Sequence, residues 1–341
     1  MKILLDGHVF NSRIEGNKRY IKELYLGLRQ ISGTDTSLYK RENSENGLKR
    51  LLFGMLTMAR NIKADIVHST YISPFIKTTK QVVTVHDLSF KQYPNYYSIQ
   101  DKFIFNFLLP WSLYQADAII VPSCFTANEL LAVYPQYKHK IHVINYASGE
   151  IFKPILHSVA KLKIHNLLDI TYPYILVLNS RYKKKNINNV IKAFNNLKNC
   201  NTSINLVVVG GKHNIDEKLK ESSNLVFIDY VDDATLACLY QCCELFIYYS
   251  TYEGFGLPLL EAVGCHAPII ASDIPVHREI TQNKLIYVDP YKHQLLSTEM
   301  KRILQNSRLG ENLVKRSQML NKLYSWKETV NKTQEVYKKI I

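Results

Sequence analysis

This sequence of 341 residues lacks most of the marks that single out specialised classes of protein. It has only six cysteines and no C-x-x-C pair, so we expect free thiols in a reducing cytoplasm rather than a disulfide framework or a zinc site. Its most apolar run, residues 103–114, contains Asn106 and Pro110 and is too short to span a bilayer. The first residues reach Asp6 after three apolar positions, which is not the pattern of a signal peptide. The expectation is an ordinary cytoplasmic globular protein.

Acidic residues are also scarce, since 29 Asp and Glu stand against 43 Lys and Arg and give a formal net charge of +14. The basic excess is divided evenly between the two halves of the chain, with no basic tail and no aromatic residues interleaved with arginines. Nucleic acid is therefore not an expected partner. In the segment 40–63, however, basic residues flank apolar ones at helical spacing. This pattern indicates either a surface helix with a solvated face or a peripheral contact with an anionic membrane.

What the sequence does contain is a repeated alternation of short apolar runs with longer stretches of helical periodicity. Continuous apolar strands separated by helices indicate parallel sheets covered on both faces. The runs fall into two sets, separated by a linker at 145–154. We therefore predict an α/β protein of two doubly wound, Rossmann-like domains, 1–154 and 155–324, which face each other across a central cleft. The predicted strands are 2–6, 64–68, 81–85, 117–121, 142–144, 174–179, 204–209, 225–228, 244–248, 268–272 and 285–288.

One stretch that follows a predicted strand, STYEGFGLPLLEA (250–262), combines two carboxylates with a glycine-rich turn and a proline. Glycine allows a tight turn close to a ligand, and proline suits the first turn of a helix. The start of such a helix offers free N–H groups and the positive end of its dipole to an anion. Glu253 in the turn and Glu261, about 5 Å further along by helical rise, can accept hydrogen bonds from vicinal hydroxyls. A phosphate site flanked by two hydroxyl sites predicts a nucleotide sugar as ligand.

The stretch resembles the E-x7-E signature of retaining GT-B glycosyltransferases, the large family that includes sucrose synthase and bacterial polysaccharide mannosyltransferases. This resemblance covers most of the chain. It implies the GT-B fold, with an acceptor-binding first domain, a nucleotide-sugar-binding second domain and a helix at about 325–341 that packs back on the first. Other segments similar to family motifs are TVHDLSF (84–90), ADAIIVPSCFTANEL (116–130), VINYASGEIFKP (143–154), YILVLNSRYKKKNINNVIKAF (174–194) and SWKETVNKTQEVY (325–337).

For the donor site, the resemblance implies that Glu253 binds hydroxyls of the transferred sugar and Glu261 those of the nucleotide ribose. The alternative for Glu261 is a side chain that only complements the dipole of its own helix. Arg181 and Lys185 are expected to clamp the diphosphate, with Lys184 able to replace either, whereas the alternative is a solvated basic loop. The remaining donor contacts are expected from Gly254, Phe255, Gly256 and Leu257 at the turn, and from Tyr230 and Val231 beside the base.

For the first domain, the resemblance implies that His86 contacts the transferred sugar or the acceptor, and that Asp87 supports it or binds acceptor. A packed histidine is the alternative. The segment 12–20 resembles the family's glycine-rich loop, in which the N–H of Gly16 approaches the diphosphate. Lys18 stands where the family usually has glycine, so close approach of the backbone is less favoured there.

The family's mechanism implies transfer with retention of anomeric configuration. No Asp-x-Asp triplet occurs, so we expect neither a metal ion nor a cofactor, and fixed cations with a helix terminus to stabilise the leaving group. The expected reaction moves a mannose-like or related hexose from a GDP- or UDP-linked donor to a saccharide or lipid-linked glycan. A nicotinamide-dependent oxidoreductase would need a G-x-G-x-x-G loop, which is missing. A non-catalytic sugar-binding or scaffold protein, a phosphorylase and an epimerase remain open alternatives.

Overall fold

A computed structural model describes residues 1–7, 15–39, 63–170, 173–198 and 204–341 of the chain. These residues form two compact units. The first comprises Met1–Ala147 together with Tyr324–Ile341, and the second comprises Ser148–Leu323. Each unit is built on one sheet of parallel strands.

The first unit contains a six-stranded parallel sheet in the order β2-β1-β3-β4-β5-β6. Its strands Ile66–Thr70 and Ala118–Val121 are buried along their whole length because helices cover both faces. The strands are β1 (Lys2–Asp6), β2 (Asp35–Tyr39), β3 (Ile66–Thr70), β4 (Lys80–Thr84), β5 (Ala118–Val121) and β6 (Ile141–Val143).

The last helix of the chain belongs to the first unit, where it packs against the first helix. The fit is close, since a Cβ on Gly27 would lie 2.5 Å from the Val330 side chain. Tyr337 reaches the sheet and hydrogen bonds through its hydroxyl to Nδ1 of His68, at 2.5 Å. The helices are α1 (Glu15–Arg29), α2 (Ser89–Gln92), α3 (Ile99–Phe103), a π-helical segment (Ile104–Leu108), α4 (Leu109–Gln115), α5 (Cys124–Val133) and α14 (Trp326–Ile340), with 3-10 turns at Pro94–Tyr96 and Pro135–Lys140.

The second unit contains another six-stranded parallel sheet, in the order β12-β11-β10-β7-β8-β9. Buried apolar clusters lie on each face of this sheet. One includes Phe246 and Val207 and the other includes Ile247 and Val208, as the alternation of side chains along a strand requires. The strands are β7 (Tyr174–Leu178), β8 (Asn205–Val209), β9 (Leu225–Ile228), β10 (Leu245–Tyr248), β11 (Ile269–Ser272) and β12 (Ile286–Val288).

The helices of the second unit precede its first strand, connect its consecutive strands and follow its last strand, and they supply the outer layers of both clusters. They are α6 (His157–Leu168), α7 (Ile187–Lys198), α8 (Glu217–Lys220), α9 (Asp233–Cys242), α10 (Leu257–Gly264), α11 (Pro275–Ile280), α12 (His293–Leu304) and α13 (Ser307–Ser317), with 3-10 turns at Lys183–Lys185 and Gln318–Lys322.

The predicted fold class is confirmed, since every predicted strand is present to within two residues at each end. One strand was missed: β2, at the edge of the first sheet, reads DTSLY and lacks a continuous apolar run. The boundary between the units lies between Ala147 and Ser148, whereas the boundary predicted from the sequence lies after residue 154. The difference arises because Phe152, only 4% exposed, packs into the core of the second unit.

Candidate functional site

The second sheet reverses its strand order between β7 and β10. From β7 the chain moves outward through β8 and β9, and from β10 it moves outward in the other direction through β11 and β12. The loops that follow β7 and β10 therefore diverge at the carboxyl edge of the sheet. Open α/β sheets bind ligands at such a switch point. The loops here hold residues 179–186 and 249–256.

Three of the predicted donor residues meet at this point. The Lys185 ammonium lies 2.8 Å from one Glu253 carboxylate oxygen, and the Lys184 ammonium lies 3.8 Å from the other. All three side chains are nearly buried. The backbone fixes the two loops together, because the Thr251 N–H donates to the Lys184 carbonyl at 2.8 Å. The cluster of Lys184, Lys185 and Glu253 is hereafter the charged cluster.

Burial and charge act in opposite directions on Glu253. Burial raises the pKa of its carboxyl, but Lys185 and then Lys184 lower it, and the net result is a pKa well below the usual value. Tyr248 lies within hydrogen-bond distance of Lys185, with 3.0 Å between its hydroxyl and the ammonium. Burial first, and the nearby Glu253 second, raise the pKa of the Tyr248 hydroxyl well above its usual value. The site thus contains an ionised carboxylate, two ammonium groups and a neutral phenol at neutral pH.

The turn that follows Glu253 leads directly into α10. Gly256 has φ +105°, a conformation that favours glycine, and it immediately precedes the first helical residue, Leu257. Pro258 occupies the first turn, as predicted. A Cβ on Gly256 would meet only ordinary contacts, at 3.4 Å or more. The glycine is therefore needed for its backbone conformation rather than for space. Gly254, Phe255 and Leu257 are buried beside it.

Glu261 lies one turn into α10 and is only 3% exposed. Its carboxylate accepts a hydrogen bond from the Tyr240 hydroxyl at 3.2 Å. Tyr240 belongs to the neighbouring helix α9, so Glu261 is held in place from a second element. The carboxylate is thus buried and hydrogen bonded from a second helix, as buried polar groups generally are.

The remaining predicted donor residues lie outside the charged cluster. Arg181 is exposed and forms no ion pair among the residues that the structure describes. Tyr230 is 69% exposed, and Val231 is half-buried against the core. Both follow β9, two strands away from the switch point. Of the two predicted phosphate ligands, Lys185 lies beside Glu253 and Arg181 lies at the surface. Lys184, the predicted replacement for either, also lies in the charged cluster.

In the first unit, His86 follows β4 and is buried within a group of aromatic rings. Its Nδ1 lies 2.7 Å from the Tyr146 hydroxyl, and its ring contacts Tyr20 edge-on at 5.2 Å between centroids. Asp87 is half-buried, and its Oδ1 accepts hydrogen bonds from the N–H and the hydroxyl of Ser89, at 3.0 and 2.7 Å. Asp87 therefore also holds the turn that begins α2.

Gly16 was predicted to lie in a loop, but it lies in helix α1, which already begins at Glu15. Gly16 occupies the first turn, where backbone N–H groups have no partner within the helix. A Cβ at this position would meet nothing within 4 Å. The helix extends over this glycine because the residues after Gly16 carry a strongly amphipathic pattern.

Two residues that adjoin the charged cluster were not predicted from the sequence. Tyr248 ends β10, and His277 lies in α11, after the neighbouring strand β11. Their rings lie 5.1 Å apart, and His277 also lies beside Gly256. Burial lowers the pKa of His277 to about 4, against a smaller opposite effect of Glu253. The available signal was position, since both residues stand at or just beyond the carboxyl ends of strands next to the switch point.

The remaining expectations concern membrane contact and metal binding. The basic segment 40–63 lies, except for its last residue, outside the described residues. In the described ranges, no helix is long and apolar enough to cross a membrane. The same ranges contain no group of three His, Cys, Asp or Glu side chains placed to hold a metal ion.

Comparison with known proteins gives two family matches, one on each compact unit. The family described as "Glycosyltransferase Family 4" matches residues 26–146, and the family described as "Glycosyl transferases group 1" matches residues 160–319. The O-antigen chain mannosyltransferase RfbU of Salmonella typhimurium is 30% identical over 66% of this chain and 61% of its own length. The O-antigen chain mannosyltransferase B of Escherichia coli is 24% identical over 82% of this chain and 75% of its own length. The chain thus matches about three fifths of the first relative.

The fold agrees with these matches. The structure of a sucrose-phosphate synthase from Thermosynechococcus elongatus superposes with a TM-score of 0.81, at 17% identity, over 100% of this chain and 99% of that one. Two doubly wound parallel sheets, a closing helix on the first unit and consecutive matches to the two glycosyltransferase families all point the same way. The chain has the GT-B fold, and its two units match two glycosyltransferase families in succession.

Proposed function

We propose that this chain transfers a mannose-like hexose from a GDP- or UDP-linked donor to a saccharide or lipid-linked glycan during surface polysaccharide biosynthesis. The observation that carries the proposal is the charged cluster at the switch point of the second sheet, beside the start of α10. Two of the chain's relatives, named as O-antigen mannosyltransferases, support the class of sugar and product.

The charged cluster suits both ends of a nucleotide-sugar headgroup. Ammonium groups and the free N–H groups of a helix start bind a diphosphate, whereas an ionised carboxylate accepts hydrogen bonds from sugar hydroxyls. In the proposed complex the diphosphate competes for Lys185, and Glu253 turns to the sugar. Before the donor binds, the Lys185 ammonium and a Glu253 carboxylate oxygen form an ion pair at 2.8 Å. This ion pair keeps both groups ionised and in place. Glu261, held by Tyr240, is proposed to bind the ribose.

The reaction breaks the bond between the anomeric carbon and the diphosphate oxygen and forms a bond from that carbon to an acceptor oxygen. The leaving diphosphate takes the acceptor proton in the proposed front-side mechanism, which retains the anomeric configuration. Lys184 and Lys185 stabilise the charge that develops on the leaving group, as preorganised electrostatics do in many enzymes. No metal is required in this scheme because the lysines and the helix start carry that charge.

The first unit is proposed to bring His86 to the transferred sugar or the acceptor, with Asp87 at the edge of that site. A lipid-linked acceptor places the reaction at the cytoplasmic face of a membrane. The contact predicted for the segment 40–63 remains part of this proposal.

A screen of nucleotides and nucleotide sugars by thermal shift tests the donor. Binding to the folded state stabilises it by RT ln(1 + [L]/Kd), so about 2.7 kcal/mol is expected at a hundredfold excess over Kd. We expect GDP or UDP and the matching hexose donor to raise Tm, and NAD to leave it unchanged. The identified donor is then incubated with glycan acceptors, with and without EDTA. Loss of transfer with EDTA that Mn²⁺ restores contradicts the metal-free scheme, and donor binding without transfer to any acceptor favours a sugar-binding protein.

A further inference from the structure

A line of apolar side chains stands exposed on the first unit. Helix α3, the π-helical segment and α4 form one continuous helix over residues 99–115. Scattered exposed apolar residues are normal, but a contiguous row is not. The members of this row, here called the aromatic face, are Ile99 (86% exposed), Phe103 (48%), Phe107 (63%), Trp111 (48%) and Tyr114 (66%).

The four rings of the aromatic face form two neighbouring pairs. The centroids of Phe103 and Phe107 lie 5.0 Å apart, and those of Trp111 and Tyr114 lie 6.0 Å apart. The opposite side of the same helix is apolar as well, because Leu109 and Leu113 are fully buried in the core of the unit. An apolar core side therefore does not account for the exposed row, which needs an occupant of its own.

The π-helical segment keeps the row straight. Residues four apart drift around an α-helix because a turn holds only 3.6 residues. The π-helical turn at Ile104–Leu108 holds more residues than an α-helical turn, so it reverses part of this rotation between Phe103 and Trp111. Pro110 lies two residues beyond this segment and has no N–H to donate to the preceding turn, which is a common cause of helix distortion. The helix thus presents its aromatic residues along one side.

Basic side chains flank the aromatic face. The Lys91 ammonium donates to the Asn106 amide oxygen at 2.8 Å, and Lys102 lies one turn before Asn106 on the same flank. The nearest acid on the helix, Asp101, caps the helix start together with Ser98. Its charge is thereby matched to the positive end of the helix dipole. A row of aromatic residues with Trp and Tyr at one end and lysines along its flank complements an anionic lipid surface.

We propose that the aromatic face docks on an anionic lipid bilayer, with its rings at the level of the headgroups and Lys91 and Lys102 against lipid phosphates. The inference goes beyond the proposed transfer reaction, because it rests on the exposed side chains alone. It also differs from the contact predicted for the segment 40–63.

The chain contains two tryptophans, so Trp326→Phe leaves Trp111 as the only indole. The full-length variant is mixed with phosphatidylcholine vesicles that contain bromine-labelled acyl chains, with or without phosphatidylglycerol. We expect a blue shift and quenching of Trp111 with the anionic vesicles and a weaker response with neutral ones. No quenching with either overturns the proposal. Emission of a buried indole before vesicles are added also overturns it, since the face is then covered by this chain or by a second copy.

Matched variants separate this surface from a general attraction. We expect Phe103→Ser with Phe107→Ser to lower the affinity for anionic vesicles at least tenfold without changing Tm, because both side chains are exposed. Leu162→Ser, at a position 60% exposed on the second unit, should leave the affinity unchanged. Replacing Lys91 and Lys102 by Gln should abolish the preference for anionic lipid. Equal binding by all variants assigns the contact elsewhere, such as the segment 40–63, and overturns the proposal whether or not the enzyme transfers sugar.

Discussion

Glu253 and Glu261 both carry carboxylates near the start of α10, but their neighbours differ. Glu253 is surrounded by cations, whereas Glu261 receives a hydrogen bond from Tyr240. If they bind opposite ends of one donor, Glu261→Ala should weaken both free nucleoside diphosphate and nucleotide sugar. Glu253→Ala should weaken only the nucleotide sugar, because its removal releases Lys185 for phosphate. A hydrogen bond to a charged group is worth about 1.5–3 kcal/mol, so about 10- to 150-fold is the expected loss. Calorimetry with both ligands measures the split, and equal loss of both ligands in Glu253→Ala contradicts it.

Four basic residues within the five positions 181–185 offer a comparison of phosphate ligands. Lys184 and Lys185 lie in the charged cluster, whereas Arg181 and Lys183 are exposed. Lys185→Ala should lower turnover by roughly 10²–10³, the scale for losing one preorganised group that stabilises charge. Lys183→Ala is the matched control and should keep its turnover. Steady-state kinetics with the identified donor decides the assignment. If Arg181→Ala lowers turnover as much as Lys185→Ala does, the exposed arginine moves to the donor on binding.

The pairing of Lys185 with Glu253 shows what the sequence could and could not predict at this scale. Glu253 was predicted from a glycine turn after a strand, and Lys185 from the resemblance of its segment to a family motif. The contact itself joins residues 68 positions apart and depends on β7 lying next to β10, which no local pattern reveals. Tyr248 and His277 were missed for the same reason, since their importance comes only from their neighbours across the sheet edge.

At the scale of single elements, the conformation of Gly256 determines how α10 begins. Alanine at φ +105° costs about 1–2 kcal/mol, because its Cβ approaches the neighbouring carbonyl. Gly256→Ala should therefore lower the urea midpoint of the second unit and weaken nucleotide binding. Gly16→Ala is the matched control, since it lies in the open first turn of a helix and should be neutral or stabilising by up to about 1 kcal/mol. A similar fall of the urea midpoint in both variants would show that the backbone conformation of Gly256 is not the cause of the destabilisation.

His68 links β3 to α14 and gives the first unit a pH dependence. Its burial, and to a lesser degree His86, lower its pKa from 6.5 to about 3. Between these two values the unfolded chain binds a proton that the folded chain does not, so stability falls as pH falls. The slope is about 1.4 kcal/mol per pH unit. His68→Gln should remove that slope between about pH 6 and pH 4, measured by urea unfolding at several pH values. An unchanged slope would assign the acid sensitivity to other groups.

Elements differ in how visible they are in the sequence. Central strands are covered on both faces and therefore consist of continuous apolar runs, which made them predictable. The edge strand β2 has a mixed pattern because only part of it is buried, and it was missed. The start of α1 was also misplaced, because Gly16 and Asn17 are weak helix formers whose conformation is decided by the packing of the residues that follow.

For the molecule as a whole, the first unit is built from two distant parts of the chain. Helix α14 buries Val330, Val336 and Tyr337, of which each contributes roughly 1.5–3 kcal/mol. Their sum approaches the total stability of a typical domain, about 5–15 kcal/mol. Deleting residues 324–341 should therefore unfold the first unit and leave the second folded. Hydrogen exchange should show loss of protection in β1, β3 and β4 with retained protection in β7, β8 and β10. Uniform loss would mean that the two units unfold together.

The position of α14 in the chain also governs when the first unit can be completed during synthesis. The ribosome must add the 176 residues from Ser148 to Leu323 before the helix that covers α1 exists. At about 5–20 residues per second, this delay lasts about 10–35 s. During that time the side of α1 that later contacts Val330 stays uncovered, and His68 lacks its hydrogen bond with Tyr337. The second unit has no such wait, so the part of the chain that is made first is expected to mature last.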